Sequence, residues 1–144
     1  MSIQATLHRA NGALTTLTNG RHAWLSDVNK TLGSDDQAPD PHDLLDSALA
    51  ACTVLTLELY IRRRQMAVTA LKVRVEHLET RNEQGVVHYQ LVRHVAIEGD
   101  ITEADRAKLL EIANKCPIHK IMEGEIEVQT QLVGASSQAA PGAE

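Results

Sequence analysis

The sequence predicts a mixed fold of antiparallel strands and helices, on the strength of three observations. Two Asn-Gly dipeptides, Asn11-Gly12 and Asn19-Gly20, punctuate alternating runs at residues 2–9, 13–18 and 21–26, the pattern of a three-stranded antiparallel meander. Asp40-Pro41-His42-Asp43 opens a long apolar run that ends at Arg62-Arg63-Arg64, the pattern of a single long helix. Two further alternating runs, Val68–Leu78 and Val86–Ile97, flank Arg81-Asn82-Glu83-Gln84-Gly85 and read as one long hairpin with a single buried face.

The segment from Asp27 to Asp40 is rich in Gly, Ser, Asp and Asn, so it is expected to be a loop too polar for the core. In the long helix, Asp40 caps the free backbone N–H groups, Pro41 suits the first helical position and Asp43 places its charge at the positive helix end. Leu45, Leu49, Cys52, Thr56 and Leu59 recur at helical spacing, while Ala48, Ala50, Ala51 and Leu55 fill the other faces. Burial on more than one side is therefore expected. Positive charge at Arg62–Arg64 complements the helix dipole and reads as a solvated helix end. A second helix is expected over Thr102–Asn114, capped by Thr102 with Asp105 three residues on, its apolar stripe being Ala104, Ala107, Leu110 and Ala113. Cys116-Pro117 ends it, because a residue before proline disfavours helical geometry, and Pro117 restarts a short helix to about Glu123. Glu125–Val133 is expected to be a last strand. Residues 1–133 then form one domain, and the aperiodic stretch 134–144 reads as a disordered tail.

Composition narrows the function. The chain has 144 residues, 43% of them hydrophobic, enough for one ordinary core. Its 14 basic and 19 acidic residues give a net charge of -5, which argues against nucleic acid or an anionic membrane as the principal partner. With no Phe, one Trp and two Tyr, it offers no aromatic platform for stacking bases or sugars. The start, Met1–Leu17, is polar, and the longest apolar run is interrupted by Thr53, Thr56 and Glu58. A soluble cytoplasmic protein without a membrane span is expected.

There are only two cysteines, Cys52 inside the apolar helix and Cys116 before Pro117. In a reducing compartment such a pair does redox work more readily than it forms a structural disulfide. The stretch Pro39-Asp40-Pro41-His42-Asp43-Leu44-Leu45-Asp46-Ser47-Ala48-Leu49-Ala50-Ala51-Cys52-Thr53, with the later Cys116-Pro117-Ile118-His119-Lys120, resembles the OsmC/Ohr family over about Ile3–Val133. The resemblance implies an α+β, OsmC-like fold in which antiparallel sheets wrap around a long central helix and two chains interlock as a homodimer. It also implies a thiol-dependent peroxidase that reduces organic hydroperoxides and is recharged by an external dithiol, with no cofactor, metal or haem. Carried over to this chain, Cys52 resembles the peroxidatic thiol and Cys116 the resolving one. An acid near the helix start and an N-terminal arginine would orient and activate the thiolate, which points to Asp43 and to Arg9 or Arg21. Where the organic-hydroperoxide branch has a glutamate ten residues before the cysteine, this chain has His42. The general OsmC-like branch, with an acid nine residues before it, is the closer match.

The chemistry asks for those residue types. A thiol near its reference pKa of ~8.5 is mostly protonated at neutral pH, and burial in an apolar helix makes it less acidic still. A fixed arginine opposes burial, since it stays charged and can donate to both a thiolate and a peroxide oxygen. A second reading is a catalytically weak dimer that binds a small molecule, or a metal shared by Cys52, Cys116 and His119. The remaining histidines, His8, His22, His77, His88 and His94, together with His119, are expected mostly on polar faces.

Overall fold

A computed structural model describes residues 1–134, so the expected tail lies, apart from Gly134, outside the described residues. The architecture is α+β, with a three-stranded and a two-stranded antiparallel sheet and one long helix. The chain divides into two compact units, Met1–Leu44 with the segment from Glu127, and Leu45–Ile126.

In the first unit β1 (Gln4–Leu7), β2 (Thr15–Thr18) and β3 (Ala23–Ser26) form the meander in the order β1-β2-β3. Its strands are shorter than expected, because residues Arg9–Asn11 close a 3-10 turn before Gly12. Gly12 has φ 66, and a Cβ there would meet the Ser34 hydroxyl at 2.7 Å. The loop after β3 is not solvent-filled in the way its polarity suggested. Asp27 and Ser34 are buried, at 2% and 6% exposure. Ser34 donates to Asp27 Oδ1, and the backbone N–H groups of Val28 and Gln37 donate to the same carboxylate at 2.8 and 3.0 Å. Burying these groups is tolerable because each is satisfied locally.

Helix α1 (Pro41–Arg64) begins as its sequence dictates: Asp43 N–H donates to Asp40 Oδ1 at 2.8 Å and Asp40 N–H to Asp43 Oδ2 at 3.2 Å. Its buried stripe is Leu49, Thr53, Leu57 and Ile61, a single i, i+4 row. Leu45 and Leu59, expected inside, are exposed, as is Leu55. A helix apolar all round carries no phase in its sequence, so the packing partner selects the row. By length and composition α1 is also long and apolar enough to cross a bilayer, despite its polar interruptions.

That partner is built from β4 (Val68–Arg81), β5 (Val87–Gly99) and α2 (Glu103–Ala113), all in the second unit. The two strands pair antiparallel, with Leu71 opposite Ile97 and Val73 opposite Val95, and an irregularity at Val68/Ala70. Gly99 is required there, since a Cβ would lie 2.1 Å from Ala67 O. Leu57, Ile61, Leu109 and Ala113 form the core, with Val73, Val95 and Ile97 against them. Thr102 and Asp105 make the expected capping box of α2. Its buried residues are Leu109 and Ala113, however, and Leu110 is exposed. Ala113 is thus buried as expected while Leu109 takes the place of Leu110, and Arg106 donates to Ile97 O at 2.7 Å, tying the helix to β5. α3 (Pro117–Glu123) follows as expected.

The last expected strand does not form: residues 125–133 carry no ladder, and Ile126, Val128 and Leu132 are 65%, 82% and 102% exposed. Alternation alone does not make a strand, and among the described residues no strand edge takes this segment up as a partner.

Candidate active site

Cys52 sits on α1 one position before the buried stripe, half-buried, and Cys116 precedes α3, fully buried. Both thiols are free, and they lie within hydrogen-bonding reach of each other. The fold achieves this because Thr53, the residue after Cys52, is part of the core row, and α2 ends in the buried Ala113 just before Cys116.

The surroundings of the two sulfurs differ. Burial pushes the Cys52 thiol up, and the hydrogen bond with Cys116 pushes it further. Burial also raises Cys116. It is outweighed by hydrogen bonds from Cys52, from the backbone N–H groups of His119 and Ile118, and from Thr53, which together bring Cys116 below the ordinary thiol range. The His119 N–H contact is 3.5 Å.

A guanidinium stands beside this cluster. Arg93 on β5 donates through Nη1 to Thr53 Oγ1 at 3.0 Å, and through Nη2 to Asn114 Oδ1 at 2.7 Å and His119 Nδ1 at 3.0 Å. Arginine has only donors, so His119 Nδ1 is the acceptor and its ring proton resides on Nε2, which faces Glu123 Oε2 at 3.0 Å. Among the described residues no carboxylate lies within ion-pair distance of Arg93. Arg93 and His119 also line a cleft of about 180 Å³, whose other walls are Leu49, Tyr89, Leu91, Met122 and Glu123. Behind Tyr89, its hydroxyl donates to Asp46 Oδ1 at 2.8 Å, His77 Nδ1 meets Asp46 Oδ2, and the His77 ring stacks on Tyr89 at 4.9 Å.

Of the residues expected from sequence, the structure therefore brings Cys52 and Cys116 together. Arg9 opens the 3-10 turn of the first unit, Arg21 is exposed in the turn between β2 and β3, and Asp43 is engaged in the α1 cap. Arg93 was missed, although the signal is present: it occupies the inward phase of β5 between Leu91 and Val95. His119 is likewise half-buried and partnered rather than a surface residue, whereas His77 is exposed as expected but engages Asp46. A metal shared by Cys52, Cys116 and His119 is not supported. Both His119 nitrogens are committed, and no group of three or more His, Cys, Asp or Glu among the described residues is placed to hold an ion.

The family model for OsmC-like proteins matches residues 33–131. The chain belongs to the OsmC-like family. Solved structures of OsmC-like and organic hydroperoxide resistance proteins share the fold. An OsmC-like protein from Mycoplasma pneumoniae is similar at TM-score 0.71 and 20% identity, over 85% of this chain and 86% of that one. An organic hydroperoxide resistance protein from Elizabethkingia anophelis, with bound thiocyanate, is similar at 0.67 and 24%, over 88% and 91%. The organic hydroperoxide resistance protein OhrB of Bacillus subtilis is similar at 0.60 and 18%, over 89% and 93%. No curated protein matches the sequence. An OsmC-like chain thus carries its cysteine pair beside an arginine of its long hairpin.

Proposed function

We propose that the protein is a thiol-dependent peroxidase that reduces organic hydroperoxides in the cytoplasm, with Cys52 as the nucleophile and Cys116 as the resolving thiol. One observation carries this reading: two free cysteines far apart in sequence meet inside one unit, thiol beside thiol. Attack by Cys52 on the terminal peroxide oxygen releases an alcohol and leaves a sulfenic acid, which Cys116 condenses to a disulfide. An external dithiol then restores both thiols. Leu49, Leu91 and Met122 give the cleft at Arg93 an apolar part beside its polar one, which suits the alkyl group of an organic hydroperoxide. Asp43, with Arg9 or Arg21, is the pair that the family resemblance assigns to the activation of Cys52.

The active form on this reading is a homodimer. Leu45, Leu55 and Leu59 leave much of α1 apolar and uncovered in the single chain, and a second copy is the cover the family resemblance implies. The test is a thiol titration before and after one equivalent of an organic hydroperoxide. Loss of two thiols per chain is expected in the parent and none in Cys52→Ser. Peroxide consumption by Cys52→Ser at the parent rate would overturn the assignment.

A further inference from the structure

We infer that Arg93 is a positioning residue for the cysteine pair: it ties the segment that carries Cys52 to the segment that carries Cys116, and so sets how readily the two sulfurs join. For the reaction it serves, this deepens the peroxidase reading and rests on it. The tie itself is measurable without a peroxide.

One guanidinium reaches the neighbours of both cysteines. Its hydrogen bonds go to Thr53 on α1, the residue after Cys52, to Asn114, which closes α2 just before Cys116, and to His119 on α3 just after it. The His119 N–H in turn meets Cys116 Sγ at 3.5 Å. Among the described residues every other polar contact between α1 and residues 114–119 runs through a cysteine sulfur: Cys52 with Cys116, Cys52 with the Ile118 N–H, and Cys116 with Thr53. Oxidation alters those sulfurs. The Arg93 bonds involve neither of them, so they keep the two segments in place while Cys52 passes from thiol to sulfenic acid and on to disulfide. A rigid planar fork suits the task, because one group can then meet acceptors on three elements at once. Packing does not call for it. The neighbouring inward positions of β5 are Leu91 and Val95, and a half-buried cation costs desolvation that an aliphatic side chain would not.

The step it assists is resolution. The Cys116 sulfur attacks the sulfenic sulfur of Cys52, the S–S bond forms, and the S–O bond breaks. The departing hydroxide takes the Cys116 thiol proton and leaves as water. The sulfenic sulfur falls one oxidation level as the Cys116 sulfur rises one, so no outside reductant is needed. A disulfide accepts only a narrow geometry, with Cα atoms roughly 4.4–6.8 Å apart and a dihedral angle of about 90° at the sulfurs. Misplacing reacting atoms by about 1 Å can cost on the order of a hundredfold in rate. Segments free to drift would leave the sulfenic acid to a second hydroperoxide molecule, which takes it to sulfinic acid and is itself reduced to alcohol.

The experiment equilibrates the full chain in mixtures of reduced and oxidised glutathione and measures the Cys52–Cys116 disulfide by alkylation and mass spectrometry. Arg93→Met is expected to lower the equilibrium constant for the disulfide about tenfold, which raises its reduction potential by about 30 mV. Arg93→Lys, whose single ammonium meets fewer acceptors, should recover part of that. Thr53→Val, which removes one bond of the tie and keeps the shape, should lower the constant about threefold. Arg106→Met is the control. Arg106 ties α2 to the Ile97 carbonyl, so its loss is expected to lower stability and leave the disulfide constant at the parent value. With excess organic hydroperoxide, Arg93→Met should also gather sulfinic acid at Cys52 faster than the parent. The parent's constant in a folded Arg93→Met would overturn the inference, as would an equal fall in Arg106→Met, which would make Arg93 one more structural bond. Should Arg93→Met fail to fold, Thr53→Val and Asn114→Ala decide, and the parent's constant in both overturns it. Constants that fall as expected in a protein that consumes no hydroperoxide would sink the peroxidase reading and leave the tie standing.

Discussion

The two units of the chain are held together by different means. Every buried apolar side chain among the described residues lies in Leu45–Ile126: Leu49, Leu57, Ile61, Leu109, Ala113 and Cys116. In Met1–Leu44 the buried residues are polar, Ser26, Asp27 and Ser34, and β1 is exposed throughout. The first unit is thus organised by hydrogen bonds around a carboxylate, which fix geometry but contribute little net free energy, about 1 kcal/mol each. The second is organised by apolar burial, worth about 25 cal/mol per Å². The contrast shows where reactivity can be placed: Thr53, Cys116 and Arg93 sit in the unit whose apolar frame can bear a polar cluster at its margin.

The largest effect that sharpens this contrast is expected from Leu57→Ala. Leu57 is fully buried in the core, so truncation should cost about 2–5 kcal/mol, read by chemical denaturation at fixed protein concentration because of the proposed dimer. Leu25→Ala on the half-exposed β3 should cost less than about 1 kcal/mol, since little of that side chain leaves water on folding. Equal losses at the two positions would break the comparison, and would mean that Leu25 is buried in the assembled protein.

Element order was legible in the sequence because local chemistry sets it. The Asn-Gly turns, the Asp40/Asp43 cap, the Thr102/Asp105 box and the Cys116-Pro117 break all act within four residues. What was not legible depends on neighbours. Helical spacing alone places Leu45 and Leu59 with Leu49 on one inward row of α1, whereas the fold buries Leu49, Thr53, Leu57 and Ile61. Apolar faces of one helix look alike until one of them meets β4 and β5. The Glu125–Val133 alternation is likewise a local signal whose ladder partner no local signal supplies. At the site, the cysteines were readable from their flanking residues, whereas Arg93 needed the phase of β5: the face that carries Tyr89, Leu91, Val95 and Ile97 also carries a charge. A cation on an apolar strand face is the sequence feature most worth following in such a chain.

A smaller effect is expected from Asp27→Asn, and its pH dependence tests the hydrogen-bonded unit directly. The Ser34 hydroxyl, then the Gln37 and Val28 N–H groups, hold the Asp27 carboxyl below its ordinary range against the cost of burial. A depressed folded-state pKa contributes stability that is fully present above the unfolded value of about 3.9 and is lost as pH falls through the lower folded value. The thermal midpoint of Asp27→Asn should therefore lie below that of the parent at neutral pH, and the gap should narrow as the parent is acidified below about pH 4. A gap that stays constant into acid would show that Asp27 is not held as an anion by its neighbours.

The smallest effect has the opposite sign and belongs to the apolar unit. α1 ends with Gln65 at φ 50, its N–H bonded to Arg62 O at 3.2 Å and the Met66 N–H to Ile61 O at 3.1 Å. This is the helix-ending arrangement in which glycine is the usual residue, because a Cβ disfavours the left-handed region. The first unit meets the same demand with glycine at Gly12, Gly20 and Gly33 and with a non-glycine residue at Asp36, φ 55. Met66 after the cap packs against the core that contains Ile61, so the turn is fixed by tertiary contact as well as by its own bonds. Gln65 itself is exposed and nothing buried is lost with its side chain. Gln65→Gly should therefore raise stability by roughly 0.5–1 kcal/mol, the relief of left-handed strain less the added freedom of the unfolded chain. The measurement is the denaturant midpoint at unchanged slope. A drop in that midpoint would show that the core contact of Met66, rather than the cap residue, governs how the helix ends.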